Sequence, residues 1–277
     1  MELAASGNTM NAVALPERRA ARLSRAVQVL GWGAFKIGRN EAIKYPTAFE
    51  LPSEQDAVAL VQYIVRMGIR SIDTAPAYGL SERRVGLALE GLTSQERDAV
   101  FLSTKVGERF EGGQSHFDFS GPAVESSVAQ SLRLLRSARL DLVWVHSNGN
   151  DEQIVADGAA IGALAALRAE GVVGGVGFSA KHAAGARAAL ADPRVDALML
   201  EFHPAKPELQ PVIEEAAKGG RAVFIKKPLA SGTLEPSVAI PWILRNAGVT
   251  SVVVGGLSLD RLRANAALAA DTATASR

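Results

Sequence analysis

Apolar residues in this chain gather in short unbroken runs, separated by longer stretches where they recur every three or four positions. The runs lie near residues 27–34, 70–73, 99–105, 140–146, 173–178, 196–201, 222–226 and 251–254. None alternates polar with apolar, so each predicts a strand buried on both faces. The stretches between them predict helices. In 54–68, Ala57, Leu60, Val61, Ile64 and Val65 share one face, and in 122–136 Val124, Val128, Leu132 and Leu135 do. Ser53 before Glu54, Ser81 before Glu82 and Gly121-Pro122 are helix start signals. Gly68, Gly91, Gly171, Gly219 and Gly248 are stop signals.

Eight strand–helix pairs in 277 residues predict an α/β fold of the (β/α)8 TIM-barrel type. An open doubly wound sheet has a similar alternation. Its G-x-G-x-x-G turn is not found after an early strand, and Gly174, Gly175 and Gly177 lack that spacing. Residues 1–25 show no clear pattern and read as an N-terminal tail or covering hairpin, ahead of one barrel domain over 26–277. The segment from Phe35 to Leu51 is long for a connection and is a candidate lid.

Composition narrows the function classes. The formal net charge is +1, with both signs interspersed, which argues against a general nucleic-acid or membrane-surface role. The chain has no cysteine, which excludes disulfides, thiolate nucleophiles and cysteine-held metal centres. Glu2 and the Ser6-Gly7-Asn8-Thr9 stretch do not suit a secretion signal, and no apolar run reaches membrane-spanning length. The expectation is a cytoplasmic protein.

Candidate chemistry sits where the strands end. Asp73 and Tyr78 follow the second run, Lys105 closes the third in Phe101-Leu102-Ser103-Thr104-Lys105, and His146 closes the fourth in Leu142-Val143-Trp144-Val145-His146. Taken singly, Asp73 reads as a loop cap, Tyr78 as a packed aromatic and His146 as a core histidine. At consecutive strand ends of a barrel they read as one site. An ammonium at about 4 Å supplies roughly 4 kcal/mol at an effective dielectric of about 20. That is enough to move a phenol from about 10 towards neutrality. Tyr78 is thus the candidate proton donor to a carbonyl oxygen, Lys105 and Asp73 its tuners, and His146 the group that donates a hydrogen bond to that oxygen. No side chain donates hydride, so a nicotinamide cofactor is implied. A lysine at a strand end also suits a Schiff-base lyase, with Lys105 as nucleophile.

The chain resembles the aldo-keto reductases. The resemblance rests on Asp73-Thr74-Ala75-Pro76-Ala77-Tyr78-Gly79 with Ser81-Glu82, on Ser103-Thr104-Lys105 and on Val145-His146, and runs from about Gly31 to about Asn265. It implies a (β/α)8 barrel that reduces aldehydes or ketones with NAD(P)H, reversibly with alcohols or sugars, acting on a small-molecule carbonyl substrate. It gives Tyr78, Lys105, Asp73 and His146 the roles argued above.

The same resemblance implies cofactor contacts at Gly33, Ala34, Ser179, Lys226, Pro228, Leu229, Ser231, Gly255, Gly256, Arg261 and Asn265. Ser179 stands where the family has a serine on the nicotinamide carboxamide, but Ala180 and Met199 replace the amide side chains beside it. Lys226 replaces a stacking aromatic; its stem over the ring and its charge on a phosphate are both open. Pro228 to Gly232 is similar to the loop along the pyrophosphate. Gly255 and Gly256 precede a helix N-terminus, a ready anion site. Arg261 matches the family's 2′-phosphate arginine and Asn265 its adenine contact, which favours NADPH over NADH; Gly255 takes the place of a frequent lysine. The altered carboxamide positions also fit a non-catalytic NADP-binding, redox-sensing subunit. Trp32, Phe35, Phe110, Phe117, Phe119 and Trp144 are candidate pocket walls, and the 110–119 loop, with Gly112-Gly113, is a candidate moving part.

Overall fold

Eight short parallel strands pair side by side until the last meets the first, closing a barrel. They are β1 (Leu30–Gly33), β2 (Ser71–Asp73), β3 (Phe101–Val106), β4 (Leu142–His146), β5 (Val176–Ser179), β6 (Ala197–Glu201), β7 (Ala222–Lys226) and β8 (Ser251–Gly255). The computed structural model describes residues 12–43 and 48–275. The fold is the (β/α)8 barrel expected from the alternation, and the apolar runs are its strands.

The register explains where chemistry can gather. Gly255 pairs with Gly33, Gly33 with Asp73, Asp73 with Ser103, Lys105 with Trp144, His146 with Ser179, and Glu201 with Lys226. The C-terminal residues of neighbouring strands therefore stand level around one rim. Parallel strands joined by helices all point the same way, so their C-terminal ends must share a face.

Below that rim the barrel is filled. Phe101, Leu142, Trp144, Ala197, Met199, Ala222 and Phe224 are buried in its interior. The Trp144 and Phe224 rings meet edge to face at 5.0 Å. The floor is closed by a small hairpin in which Glu17–Arg18 pairs antiparallel with Val27–Gln28. It buries Ala20, Leu23 and Val27 against the interior cluster. Its arginines bind backbone carbonyls at the lower rim: Arg18 Nη2 donates to Leu244 O at 2.8 Å, Arg22 Nη1 to Pro193 O at 2.9 Å, and Arg25 Nη1 to Val100 O at 3.0 Å. Residues 1–11 of the expected tail lie outside the described residues.

The helices pack their apolar faces on the outside of the barrel, as the spacing over 54–68 and 122–136 requires. Ser53 caps Glu54–Arg66 by accepting from the Asp56 amide at 3.1 Å. Ser81 does not cap: it lies inside the first turn of Ser81–Glu90, with Leu80 at the cap. Its hydroxyl is drawn inward, donating to Ala34 O at 2.9 Å and sharing a hydrogen with Thr74 Oγ1 at 2.8 Å. Gly248 does not end a helix either, because Pro236–Leu244 already stops at Arg245. Among the described residues no helix is long and apolar enough to cross a membrane, and no cluster of acidic and histidine side chains is arranged to hold a metal.

Candidate active site

The rim of C-terminal strand ends opens into a cavity of about 570 Å³. Asp73, Tyr78, Lys105 and His146 all line it. Three of them come directly from strands. Tyr78 comes from a single helical turn, Pro76–Tyr78, which follows β2 and swings the phenol back over Lys105. That turn is held by the segment after β1. A Cβ on Gly38 would lie 1.9 Å from the Tyr78 carbonyl oxygen, so only glycine lets the two backbones meet. Arg39 Nη1 donates to Ala77 O at 2.8 Å, and its guanidinium stacks 3.9 Å from the centroid of Phe110. Phe35 meets the Tyr78 ring edge to face at 5.0 Å.

Lys105 and Asp73 form a buried ion pair beneath the phenol. The ammonium also donates to Thr74 O at 2.8 Å and lies 4.8 Å from the Tyr78 ring centroid. Asp73 Oδ1 accepts from Ser103 Oγ at 2.8 Å and from Trp144 Nε1 at 3.1 Å. Burial pulls the Lys105 ammonium towards neutrality, but Asp73 and Tyr78 overcome it and hold its pKa above the ordinary value. Lys105 is therefore a fixed cation, which disfavours the Schiff-base role that needs a free amine.

The expected acidic phenol is not what the surroundings produce. Burial raises the Tyr78 pKa more than the Lys105 charge lowers it, and Asp73 adds to the rise. One ammonium alone would lower the phenol, but the pocket's desolvation and the opposing charge of Asp73 outweigh it. Tyr78 thus keeps its proton at neutral pH.

His146 closes β4 with its ring 6.5 Å from that of Tyr78. Its Nδ1 lies 2.8 Å from Oε2 of Glu108, a residue the sequence did not single out. Glu108 opens a hairpin, Glu108–Glu111 with Gln114–Phe117, where a loop was expected. The two-residue turn is Gly112-Gly113, with φ of 59° and 78°. Along its first strand Glu108 and Phe110 are part-buried while Arg109 and Glu111 are exposed. In the sequence the only local signal was the Gly112-Gly113 pair, a two-residue hairpin turn.

Of the residues expected to hold a cofactor, Gly33, Ser179, Lys226, Pro228, Leu229, Ser231 and Gly255 line the cavity. Ala34 is fully buried beside it and Asn265 is 6% exposed on the C-terminal helix. Gly256 instead receives the Trp32 indole hydrogen on its carbonyl at 3.0 Å. Arg261 is exposed in the first turn of Leu259–Ala275, beyond the cavity lining. Lys226 Nζ donates to Ser179 Oγ at 2.8 Å and Ala180 O at 2.9 Å, so its charge turns towards β5. Burial, with Lys227 and Lys105 nearby, brings its pKa down to about 7. Beyond it the chain holds Lys227, Ala230 and Ser231 at φ of 50°, 46° and 62°. Non-glycine residues in that region carry strain that clusters at ligand sites.

The expected aromatic walls are mostly elsewhere. Phe35 lines the cavity, whereas Trp32 and Trp144 are fully buried in the barrel, and Phe117 stacks with Phe119 on the hairpin's outer side. Trp144 belongs to the barrel interior beneath the cavity, where its indole hydrogen binds Asp73. Of the lid segment, Phe35, Lys36, Arg39, Ala42 and Ile43 line the cavity, and 44–47 lie outside the described residues.

A closed parallel barrel with an acid, a lysine, a tyrosine and a histidine on one mouth defines a carbonyl oxidoreductase framework. The model of the Aldo/keto reductase family matches residues 29–237, and the chain belongs to that family. A D-threo-aldose 1-dehydrogenase from a Pseudomonas species is 28% identical over 92% of this chain and 93% of its own. A solved Pseudomonas aeruginosa protein, described as an aldo-keto reductase, is 36% identical with a TM-score of 0.83, covering 95% of this chain and 97% of that one. A Klebsiella pneumoniae aldo-keto reductase solved with NADPH has the same fold at 22% identity and a TM-score of 0.70, covering 91% of this chain and 89% of its own. The family's chemistry is carbonyl reduction with a nicotinamide cofactor.

Proposed function

We propose that this chain is an NADPH-preferring cytoplasmic reductase of small aldehydes or ketones, reversible with alcohols or sugars, with Tyr78 as the proton donor. The convergence of Tyr78 and the Lys105–Asp73 pair at the mouth of one cavity carries this reading. The nicotinamide, when bound, supplies the hydride. The residues do the rest. A substrate carbonyl oxygen reaching into the cavity meets the Tyr78 hydroxyl. As charge develops on that oxygen, the phenol gives up its proton, and the Lys105 ammonium beneath stabilises the phenolate left behind. Burial keeps the proton on Tyr78 until then, and it also excludes water from the exchange.

The rim suits the cofactor. Gly33 and Gly255 leave room for close approach, Ser179 and Lys226 offer polar groups at one end, and the strained 227–232 loop borders the other. Arg261 would meet a 2′-phosphate and favour NADPH, and the D-threo-aldose dehydrogenase relative motivates sugars among the substrates. The test is purified protein with NADPH or NADH and a panel of aldehydes, ketones and aldoses, followed by nicotinamide absorbance. Faster turnover with NADPH is expected; no carbonyl-dependent oxidation of either cofactor would overturn the reading.

Lys226 fills the space that Ala180 and Met199 leave empty of amides, and its hydrogen bond to Ser179 favours a carboxamide contact over stacking. As a cation it also attracts the anionic cofactor. Since its pKa lies at about 7, NADPH affinity should fall as pH rises through that value. A charge-assisted hydrogen bond contributes about 1.5–3 kcal/mol, so the fall should be about 10- to 150-fold. Lys226→Gln should bind NADPH with an affinity that is flat across the same range. Fluorescence titration of the cofactor at a series of pH values checks it; identical slopes in both proteins would remove Lys226 from the site.

A further inference from the structure

Lys105 is locked as a cation by Asp73, but Lys226, at the end of β7 on the same cavity, is held differently. Its Nζ donates to two neutral acceptors at the end of β5, Ser179 Oγ at 2.8 Å and Ala180 O at 2.9 Å. Among the described residues no carboxylate oxygen lies within ion-pair distance of it. Its register partner Glu201 serves other lysines: Glu201 Oε2 lies 3.1 Å from Lys206 Nζ and 3.8 Å from Lys227 Nζ.

The charges that act on Lys226 are mostly of its own sign. Lys227 follows it in the chain, Lys105 stands on β3 and Lys181 follows β5. Asp151 opposes them, but its carboxylate is bound by Ser147 and by the Lys181 and His182 amides. A covered lysine beside other ammonium groups, with no acid in contact, gives up its proton readily. A pKa of about 7 agrees with that arrangement. When the proton leaves, the two hydrogens that remain can stay on Ser179 and Ala180, and the nitrogen lone pair is left for the cavity. A lysine in that state is a nucleophile at neutral pH.

We propose that Lys226 is a covalent capture site for aldehydes, which it binds reversibly as a Schiff base. The lone pair adds to the aldehyde carbon, forming a C–N bond as the carbonyl π bond opens onto oxygen. The C–O bond then breaks, and water leaves with the carbonyl oxygen and the two nitrogen hydrogens. The product is a neutral imine. No oxidant or reductant is consumed, and water reverses the step. The reductase reading places the nicotinamide end of the cofactor beside Lys226, so cofactor and captured aldehyde should exclude each other there. Excess aldehyde would then hold back the cofactor-free enzyme. That competition rests on the reductase reading; the adduct itself does not.

The adduct is read on the cofactor-free protein with propanal and cyanoborohydride, which reduces the imine to a stable propylamine. Peptide mass spectrometry locates the added group in the unmutated chain, with exposed Lys218 on the outer helix Gln210–Lys218 as reference. At pH 7 an amine titrating near that value is about half free, and an ordinary lysine roughly one part in 2,500. A less basic amine is also a weaker nucleophile, so Lys226 should take up the label on the order of a hundredfold faster than Lys218. The excess should shrink as pH rises towards about 9, where ordinary lysines begin to lose their protons. Labelling of Lys226 no faster than that of Lys218 at neutral pH would overturn the proposal, without any assay of turnover. Saturating NADPH should protect Lys226 and leave Lys218 labelled. Rapid labelling of Lys226 that NADPH does not slow would uphold the capture site and count against the reductase reading's placement of the cofactor.

Discussion

Lys105→Met is expected to destabilise the protein by about 3–5 kcal/mol and to stop turnover, because it leaves a buried carboxylate without its cation. Asp73 is 6% exposed and Lys105 2%, so neither charge is well solvated in the intact pair. Ser103 and Trp144 would still donate to Asp73, but neutral donors do not balance its charge. Denaturant unfolding followed by circular dichroism measures the loss. The double variant Lys105→Met with Asp73→Asn should recover much of the stability and none of the activity. That split separates the pair's cost to the fold from its use in the reaction. An unchanged unfolding midpoint in the single variant would show that the pair is not ionic.

Tyr78→Phe has the second large effect. General acids contribute roughly 10²–10⁴-fold to rate, and the phenol is the group placed to protonate the substrate oxygen. The loss should fall on kcat. NADPH binding should stay near wild type, since a phenyl ring keeps the edge-to-face contact with Phe35 at 5.0 Å. Single-turnover kinetics beside cofactor titration distinguish the two. Full activity in Tyr78→Phe would mean that another group supplies the proton.

The barrel was legible in the sequence because strands buried on both faces must read as unbroken apolar runs. Asp73, Lys105 and His146 were legible because a polar group at the end of such a run has nowhere to go but the rim, and Tyr78 because it follows Asp73 within one short turn. What escaped depends on groups far apart in sequence. The Tyr78 acidity was misjudged because a pair of charges was treated as a single cation in open surroundings. Glu108 was missed because nothing local marks a carboxylate that will meet a histidine 38 positions later. The hairpin that carries it escaped because Glu108–Glu111 and Gln114–Phe117 do not alternate polar with apolar residues in sequence, and the second strand is exposed throughout. Ser81 resembled a helix cap but is bound by Ala34 and Thr74, contacts that exist only once the barrel has closed. Among the suggested wall aromatics, Trp32 and Trp144 were misplaced because rings on a barrel strand can also be buried away from the mouth, Trp144 in the interior and Trp32 in the layer between barrel and helices, and the strand pattern alone cannot separate these from the mouth.

The arginine-bearing hairpin at the barrel floor has a consequence for redesign. Arg18, Arg22 and Arg25 fasten backbone carbonyls near Leu244, Pro193 and Val100, at the end opposite the cavity. The closure they provide asks nothing of the Glu108–Phe117 hairpin or the 227–232 loop. Grafting other sequences into those two stretches should therefore retune ligand preference while the scaffold stays assembled, which makes this chain a suitable host for swapped-loop libraries.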